Sequence, residues 1–289
     1  MLSFTQYRVV LQVTKPIIFS SYPGFYIRNA LVKALSAYCM EPDRVIDQRV
    51  ISCKACPLEE NCLYHALNLP VEQYEKTPKV MPFMVNASNL VTGKYEKGNI
   101  EFELTLFGNA TRHIEVFCSA IETIGRYYGI GDSGTARNYK LVSVRETTTM
   151  QVAETLNTPA LNSGNITLYF RHLKLADNRM KDNQPLLPLG YLLQIISSRI
   201  NELNVNYGEA LTGLNLQIPS VQTDVLHTEH LALCNYQYSG NKMGYWFVSG
   251  NCTYNNVSAN CMNLLILGSV IGIGRFTSYG FGTYSIQHE

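Results

Sequence analysis

The sequence has almost no surplus charge: 23 Lys+Arg stand against 22 Asp+Glu over 289 residues, a net charge of +1. That excludes recognition spread over a uniformly basic or acidic surface, so any charged partner must be met locally. The opening "MLSFTQYRVVLQVTKPIIF" also lacks an unbroken apolar run of signal or membrane-spanning length and carries a charge every few residues. The expectation is a cytoplasmic protein with no membrane partner. In that compartment the sequons at Asn86, Asn109, Asn165, Asn251 and Asn256 have no consequence. The eight cysteines are then expected to be reduced rather than disulfide-bonded. With 46% hydrophobic residues, a sizeable core is available.

What is present is a repeated order of elements. "FTQYRVVLQVTK" alternates as a strand does, and "YPGFYIRNALVKALSAY" places Ile27, Leu31, Leu35 and Tyr38 on one helical face. "KVMPFMV" and "NIEFELTLF" read as strands, a helix follows with Ile114, Phe117, Cys118, Ile121 and Ile124, and "NYKLVSV" closes the series. After the polar stretch "AETLNTPALNSGN", read as a linker, the β-α-β-β-α-β order returns: "ITLYFRHLKLA", "LGYLLQIISSRINELNV", "HLALCNYQYS", "GYWFVSGNCTY", "NCMNLLILGSVI" and "GTYSIQ". Where each second helix ends, Ile124-Gly125-Arg126-Tyr127-Tyr128-Gly129-Ile130-Gly131 aligns with Leu267-Gly268-Ser269-Val270-Ile271-Gly272-Ile273-Gly274, so three glycines and an isoleucine coincide. The expected fold is α+β: two tandem ferredoxin-like domains, residues 1–152 with a cysteine-rich insert at about 39–66, and residues 153–289.

Residues 272–286, "GIGRFTSYGFGTYSI", follow a helix and run through Gly-x-Gly-x5-Gly-x-Gly into a strand. A dinucleotide fingerprint runs strand, glycines, helix, so that reading is rejected. Glycines at 272, 274, 280 and 282 permit positive φ and close backbone approach. Arg275 adds a planar fork suited to phosphate, and Thr277, Ser278 and Tyr279 add hydroxyls. Such a loop suits an RNA backbone; equally, it could be a tight corner that turns helix into strand. The counterpart "GIGDSG" in the first half reads as a corner.

Cys53, Cys56 and Cys62, with Cys39 upstream, offer four thiolates within 24 residues, enough for a tetrahedral structural zinc. The alternative is a set of reduced cysteines packing as small hydrophobes, as Cys118, Cys234, Cys252 and Cys261 are read.

A tandem ferredoxin-like chain with this C-terminal glycine pattern resembles the RAMP-type CRISPR-associated proteins, and most closely their repeat-processing endoribonucleases, Cas family six. "YPGFYIRNALVKAL" resembles the family's first helix, "CKACPLEENCLYHAL" a cysteine segment that some members insert, and "LTLFGNATRHIEVFCSAIETIGRYYGIG" its first-domain second helix. The resemblance covers nearly the whole chain. It implies an endoribonuclease that binds the repeat hairpin of a CRISPR precursor RNA and cuts it without a metal, a 2′-hydroxyl attacking the adjacent phosphate to leave a 2′,3′-cyclic phosphate. The alternative is a subunit that holds guide RNA in an effector complex with other CRISPR proteins and does not cut. The implied RNA contacts are Lys15, Arg28, Gly272, Gly274, Arg275, Thr277, Ser278, Tyr279, Gly280 and Gly282, and the catalytic candidates are Tyr22 and Tyr26 at the opening of the first helix and His65 beyond the cysteines. Family members with such a cysteine segment often carry a histidine where this chain has Gly272, and a lysine where it has Arg275. His113 and His172 have an ordinary structural reading, whereas His227 and His230 open a strand in the second domain and could face an RNA as easily as solvent.

Overall fold

The computed structural model describes residues 2–36, 38, 80–132, 134–158, 164–175, 187–208, 232–236 and 245–288. The chain divides into two compact units, Phe4–Thr149 and Met150–Glu289 with Met1–Ser3.

In the first unit, β1 (Ser3–Val13) alternates from Gln6 onward, burying Val9, Leu11 and Val13 while Arg8 and Gln12 stay exposed. The segment β2 (Ile17–Phe19) leads into α1 (Pro23–Ser36), which starts where Pro23 supplies a preset φ and no unused N–H. Next come β3 (Phe83–Asn86), β4 (Gly93–Tyr95), β5 (Asn99–Phe107), α2 (Ile114–Thr123) and β6 (Tyr139–Gln151). The sheet order is β3-β5-β1-β6, with β1 antiparallel to β5 from Phe4↔Phe107 to Gln12↔Asn99. Helices α1 and α2 pack on each other. A separate two-stranded ribbon pairs β2 with β4, Ile18 opposite Lys94.

The second unit opens with a short helix, α3 (Val152–Asn157), in the stretch read as a linker. Asn263 explains its order: its side-chain amide donates to the carbonyl of Thr158 at 2.8 Å, closing the end of the segment onto a helix more than a hundred residues away. There follow β7 (Gly164–Leu173), α4 (Leu189–Tyr207), β8 (Ala232–Tyr236), β9 (Tyr245–Val257), α5 (Ala259–Ile271) and β10 (Tyr284–His288). The order β10-β7-β9-β8 puts the fourth strand beside the first, then the third, then the second. The first unit has the same order, once β1, β3, β5 and β6 are counted as its four strands. Both units are therefore ferredoxin-like, and the fold is the expected α+β tandem.

The repeat extends to single contacts. A Cβ built on Gly125 would lie 2.9 Å from the Tyr139 ring, and one on Gly268 would lie 2.5 Å from the Tyr284 hydroxyl. In each unit the second helix thus needs glycine to seat a tyrosine from the start of the last strand. Both phenols are buried and donate to helix carbonyls at 2.6 Å, Tyr139 to Ile121 and Tyr284 to Leu265. Burial raises the pKa of both well above the usual tyrosine value.

Candidate functional site

The glycine-rich loop is shaped mainly by contact of the chain with itself. Gly272, Gly274, Gly280 and Gly282 all have positive φ, at 68°, 79°, 87° and 80°. A Cβ on Gly282 would lie 1.8 Å from the carbonyl oxygen of Ile273, and one on Gly274 would lie 2.3 Å from that of Lys174. The approach is so close because the loop folds back on the end of β7: Ile273 N–H donates to Gly282 at 3.1 Å, Gly282 N–H to His172 at 2.6 Å, and Arg275 N–H to Lys174 at 2.9 Å. Phe276 is itself left-handed at φ 61°, which turns the chain into the single 3-10 turn Thr277–Tyr279.

This geometry separates the residues expected to touch RNA. Gly272, Thr277, Gly280 and Gly282 are buried and shape the loop from inside; Ser278 and Tyr279 are half-buried; Gly274 and Arg275 are exposed at the tip. His172 lies beneath, stacked on Phe281 with ring centres 5.6 Å apart and close to Phe247. Desolvation first, and Arg171 second, lower its pKa to about 4. It is a neutral core histidine at physiological pH.

The first-half corner repeats the loop's construction. Gly129 and Gly131 have φ 72° and 92°, and a Cβ on Gly131 would lie 2.6 Å from the carbonyl oxygen of Ile18. Asp132 N–H donates to that same carbonyl at 2.8 Å, as Arg275 N–H does to Lys174. The repeat therefore places Asp132 where the second unit has Arg275. Its carboxylate accepts from Ser20 N–H at 3.0 Å, from the Ser20 hydroxyl at 2.8 Å and from the Tyr26 phenol. The phenol and the Ser20 hydroxyl are also 2.9 Å apart. Partial burial, then the hydrogen bond to Asp132, raise the Tyr26 pKa, so the phenol keeps its proton at neutral pH.

Sequence reasoning treated "GIGDSG" as a plain corner and missed Asp132. The alignment of the two glycine runs was the signal, because it sets Asp132 against Arg275.

The other candidates near α1 separate by burial. Tyr22 is fully buried, edge-on to Phe25 at 5.6 Å, so it belongs to the core rather than to a surface that meets a substrate. Arg28 is also buried, at 3% exposure, with a guanidinium nitrogen 3.3 Å from the Asn29 side chain, which removes it from the exposed RNA contacts. Lys15 is exposed, and its ammonium donates to the Ala136 carbonyl at 3.1 Å. His65, Cys39, Cys53, Cys56 and Cys62 lie outside the described residues, as do His227 and His230. Among the described residues no group of three or more histidine, cysteine or acidic side chains could hold a metal, and no helix is long and apolar enough to cross a membrane.

Known proteins fit this architecture. No curated protein matches the sequence. Among solved structures, a partial Cas6-RT-Cas1–Cas2 complex aligns over 100% of this chain and 46% of its own at 13% identity and TM-score 0.59. In the Cas6-RT-Cas1–Cas2 complex the matched chain is covered to only 29%, so this chain spans less than half the length of these two. Thermus thermophilus Cas6 aligns over 99% of both chains, at 14% identity and TM-score 0.55, and a Cas6 product complex over 98% and 100%, at 16% and 0.56. At such identities the likeness concerns the fold. Residues 2–165 match a family model described as an N-terminal domain, and residues 158–284, which include the glycine-rich loop, match the model of the CRISPR-associated endoribonuclease Cas6. The C-terminal part of the chain, residues 158–284, thus carries the Cas6 family domain.

Proposed function

We propose that the chain binds the repeat hairpin of a CRISPR precursor RNA and cuts it at the hairpin base, without a metal. The observation that carries this reading is the Cas6 family match over residues 158–284, whose loop holds Arg275 exposed at its tip. Arg275 would take a backbone phosphate through a charge-assisted contact. The neighbouring structures named for a product complex and for a complex with RT, Cas1 and Cas2 support an RNA ligand and further CRISPR protein partners.

In the proposed reaction the 2′-oxygen forms a bond to phosphorus while the bond from phosphorus to the 5′-oxygen breaks. A base takes the 2′-hydroxyl proton, and an acid protonates the leaving 5′-oxygen. Tyr26, held protonated, suits the donor side of this exchange rather than the base. Asp132 and Ser20 would fix the position of its phenol.

A second reading, guide-RNA binding without cleavage, is favoured by two observations: the Tyr26 phenol already donates its hydrogen bond to Asp132, and Tyr22 is buried. Labelled repeat RNA distinguishes the two. Cleavage that persists in EDTA and stops when the nucleotide before the scissile bond is 2′-deoxy supports the enzyme. Hairpin binding with no product supports the second reading, and equal cutting of the deoxy RNA points to a water nucleophile and a metal.

A further inference from the structure

The first unit carries a surface that the proposed cleavage step does not use. After α2 the helix widens into a π-turn, Ile124–Tyr128, a form of backbone often found at functional sites. It leaves Tyr127 62% and Tyr128 44% exposed on consecutive positions. The guanidinium of Arg126 lies 5.9 Å from the centre of the Tyr127 ring, and the ammonium of Lys33 lies 4.6 Å over the Tyr128 ring. Beside the turn is a groove of about 690 Å³ lined by Thr14, Lys15, Glu122, Arg126, Arg137 and Lys140, among others.

Four of those six side chains are cationic and one is anionic, in a chain whose net charge is +1. Among the described residues none of the four pairs with a carboxylate. The groove wall is also held in place. Arg137 sits at φ 60°, a conformation unusual outside glycine, and is pinned by its N–H donating to the Gly125 carbonyl at 2.7 Å and its carbonyl accepting from the Thr14 hydroxyl at 2.7 Å.

We infer that this surface binds single-stranded RNA, its phosphates lying in the groove against Lys15, Arg126, Arg137 and Lys140 and its bases stacking on Tyr127 and Tyr128. A cationic track flanked by exposed aromatic faces is the arrangement by which proteins hold single strands without reading their sequence. The inference rests on the RNA-processing reading, and it specifies that the first unit holds unpaired nucleotides flanking the hairpin.

The test uses the full chain, a twelve-nucleotide single-stranded oligouridylate and a repeat hairpin without flanks, with binding followed by fluorescence anisotropy. Replacing Tyr127 and Tyr128 together by alanine is expected to weaken the oligouridylate by about tenfold or more, since stacking contributes severalfold to a hundredfold per base. The flankless hairpin should bind as before, and the double Tyr→Phe variant should keep the oligouridylate, because phenylalanine retains the stacking face. Arg126→Gln with Lys140→Gln should reduce the log–log salt slope for the oligouridylate by roughly 1.4, the loss of two single-strand phosphate contacts. Oligouridylate binding unchanged in the Tyr→Ala pair, or a salt slope unchanged in the Arg126/Lys140 pair, overturns the inference. A wild-type chain that binds the hairpin but not the oligouridylate also overturns it and leaves the processing reading standing, whereas one that binds neither RNA overturns both.

Discussion

Replacing Gly282 by alanine tests whether the glycine-rich loop is built first for the fold. Gly282 sits at φ 80°, where an L-residue costs about 1–2 kcal/mol, and its Cβ would lie 1.8 Å from the Ile273 carbonyl oxygen. Relief of that overlap must part the Ile273-to-Gly282 and Gly282-to-His172 hydrogen bonds, at about 1 kcal/mol each. The sum is about 3–4 kcal/mol. For a domain of this size each kcal/mol lowers the melting temperature by about 2–4 °C, so a drop of about 10 °C is expected. Gly164→Ala is the control: its φ is not positive and nothing lies within 4 Å of its Cβ, so it should stay within about 0.5 kcal/mol of the wild type. Gly274→Ala, with the Lys174 carbonyl 2.3 Å away, should fall near Gly282→Ala. Differential scanning calorimetry of the three variants decides. If Gly282→Ala melts within about 2 °C of the Gly164→Ala control, the close approach is not supporting the fold and the reasoning fails.

Arg275→Ala should leave the melting temperature unchanged while weakening hairpin binding about tenfold to a hundredfold, and Arg275→Lys should restore only part of it; equal binding by Arg275→Ala at two salt concentrations refutes its role. His172, with its folded pKa lowered to about 4 from 6.5, favours the neutral form, so its contribution is complete above pH 6.5 and is lost as the pH falls toward 4. The loss amounts to about 3 kcal/mol, and His172→Phe should flatten the fall in melting temperature between pH 7 and pH 4.5; an unchanged pH profile counts against it. Tyr26→Phe should abolish the hydrogen bonds to Asp132 and Ser20 and slow single-turnover cleavage about a hundredfold or more if the phenol is the proton donor, with hairpin affinity retained; cleavage at the wild-type rate excludes that role. Metal analysis of protein purified under reducing conditions without chelator should find close to one zinc per chain, bound by Cys39, Cys53, Cys56 and Cys62, and a value near zero removes the metal.

The order of strands and helices was legible in the sequence because it depends on local periodicity: alternation in β1 and β7, a 3.6-residue stripe in α1 and α2. The paired glycine runs were legible for a similar reason. Positive φ and the loss of a Cβ are properties of single residues, so Gly129 and Gly131 could be matched to Gly272 and Gly274 before any contact was known. What those glycines touch was not legible. Only the closed sheet brings the Lys174 carbonyl to Gly274 and the His172 carbonyl to Gly282, and only that contact shows the loop turned inward with Arg275 at its exposed tip. The same holds for the candidate residues near α1. Tyr22 and Tyr26 lie four residues apart at the opening of α1 and look alike in sequence, yet tertiary packing buries the first and leaves the second to meet Asp132 from 106 residues away. The groove was equally hidden, since Lys15, Arg126, Arg137 and Lys140 come from three separate stretches and cancel in the net charge. Local patterning sets which residues form an element and which face is apolar, but which side chains from distant elements share a surface is set by how the elements close on one another.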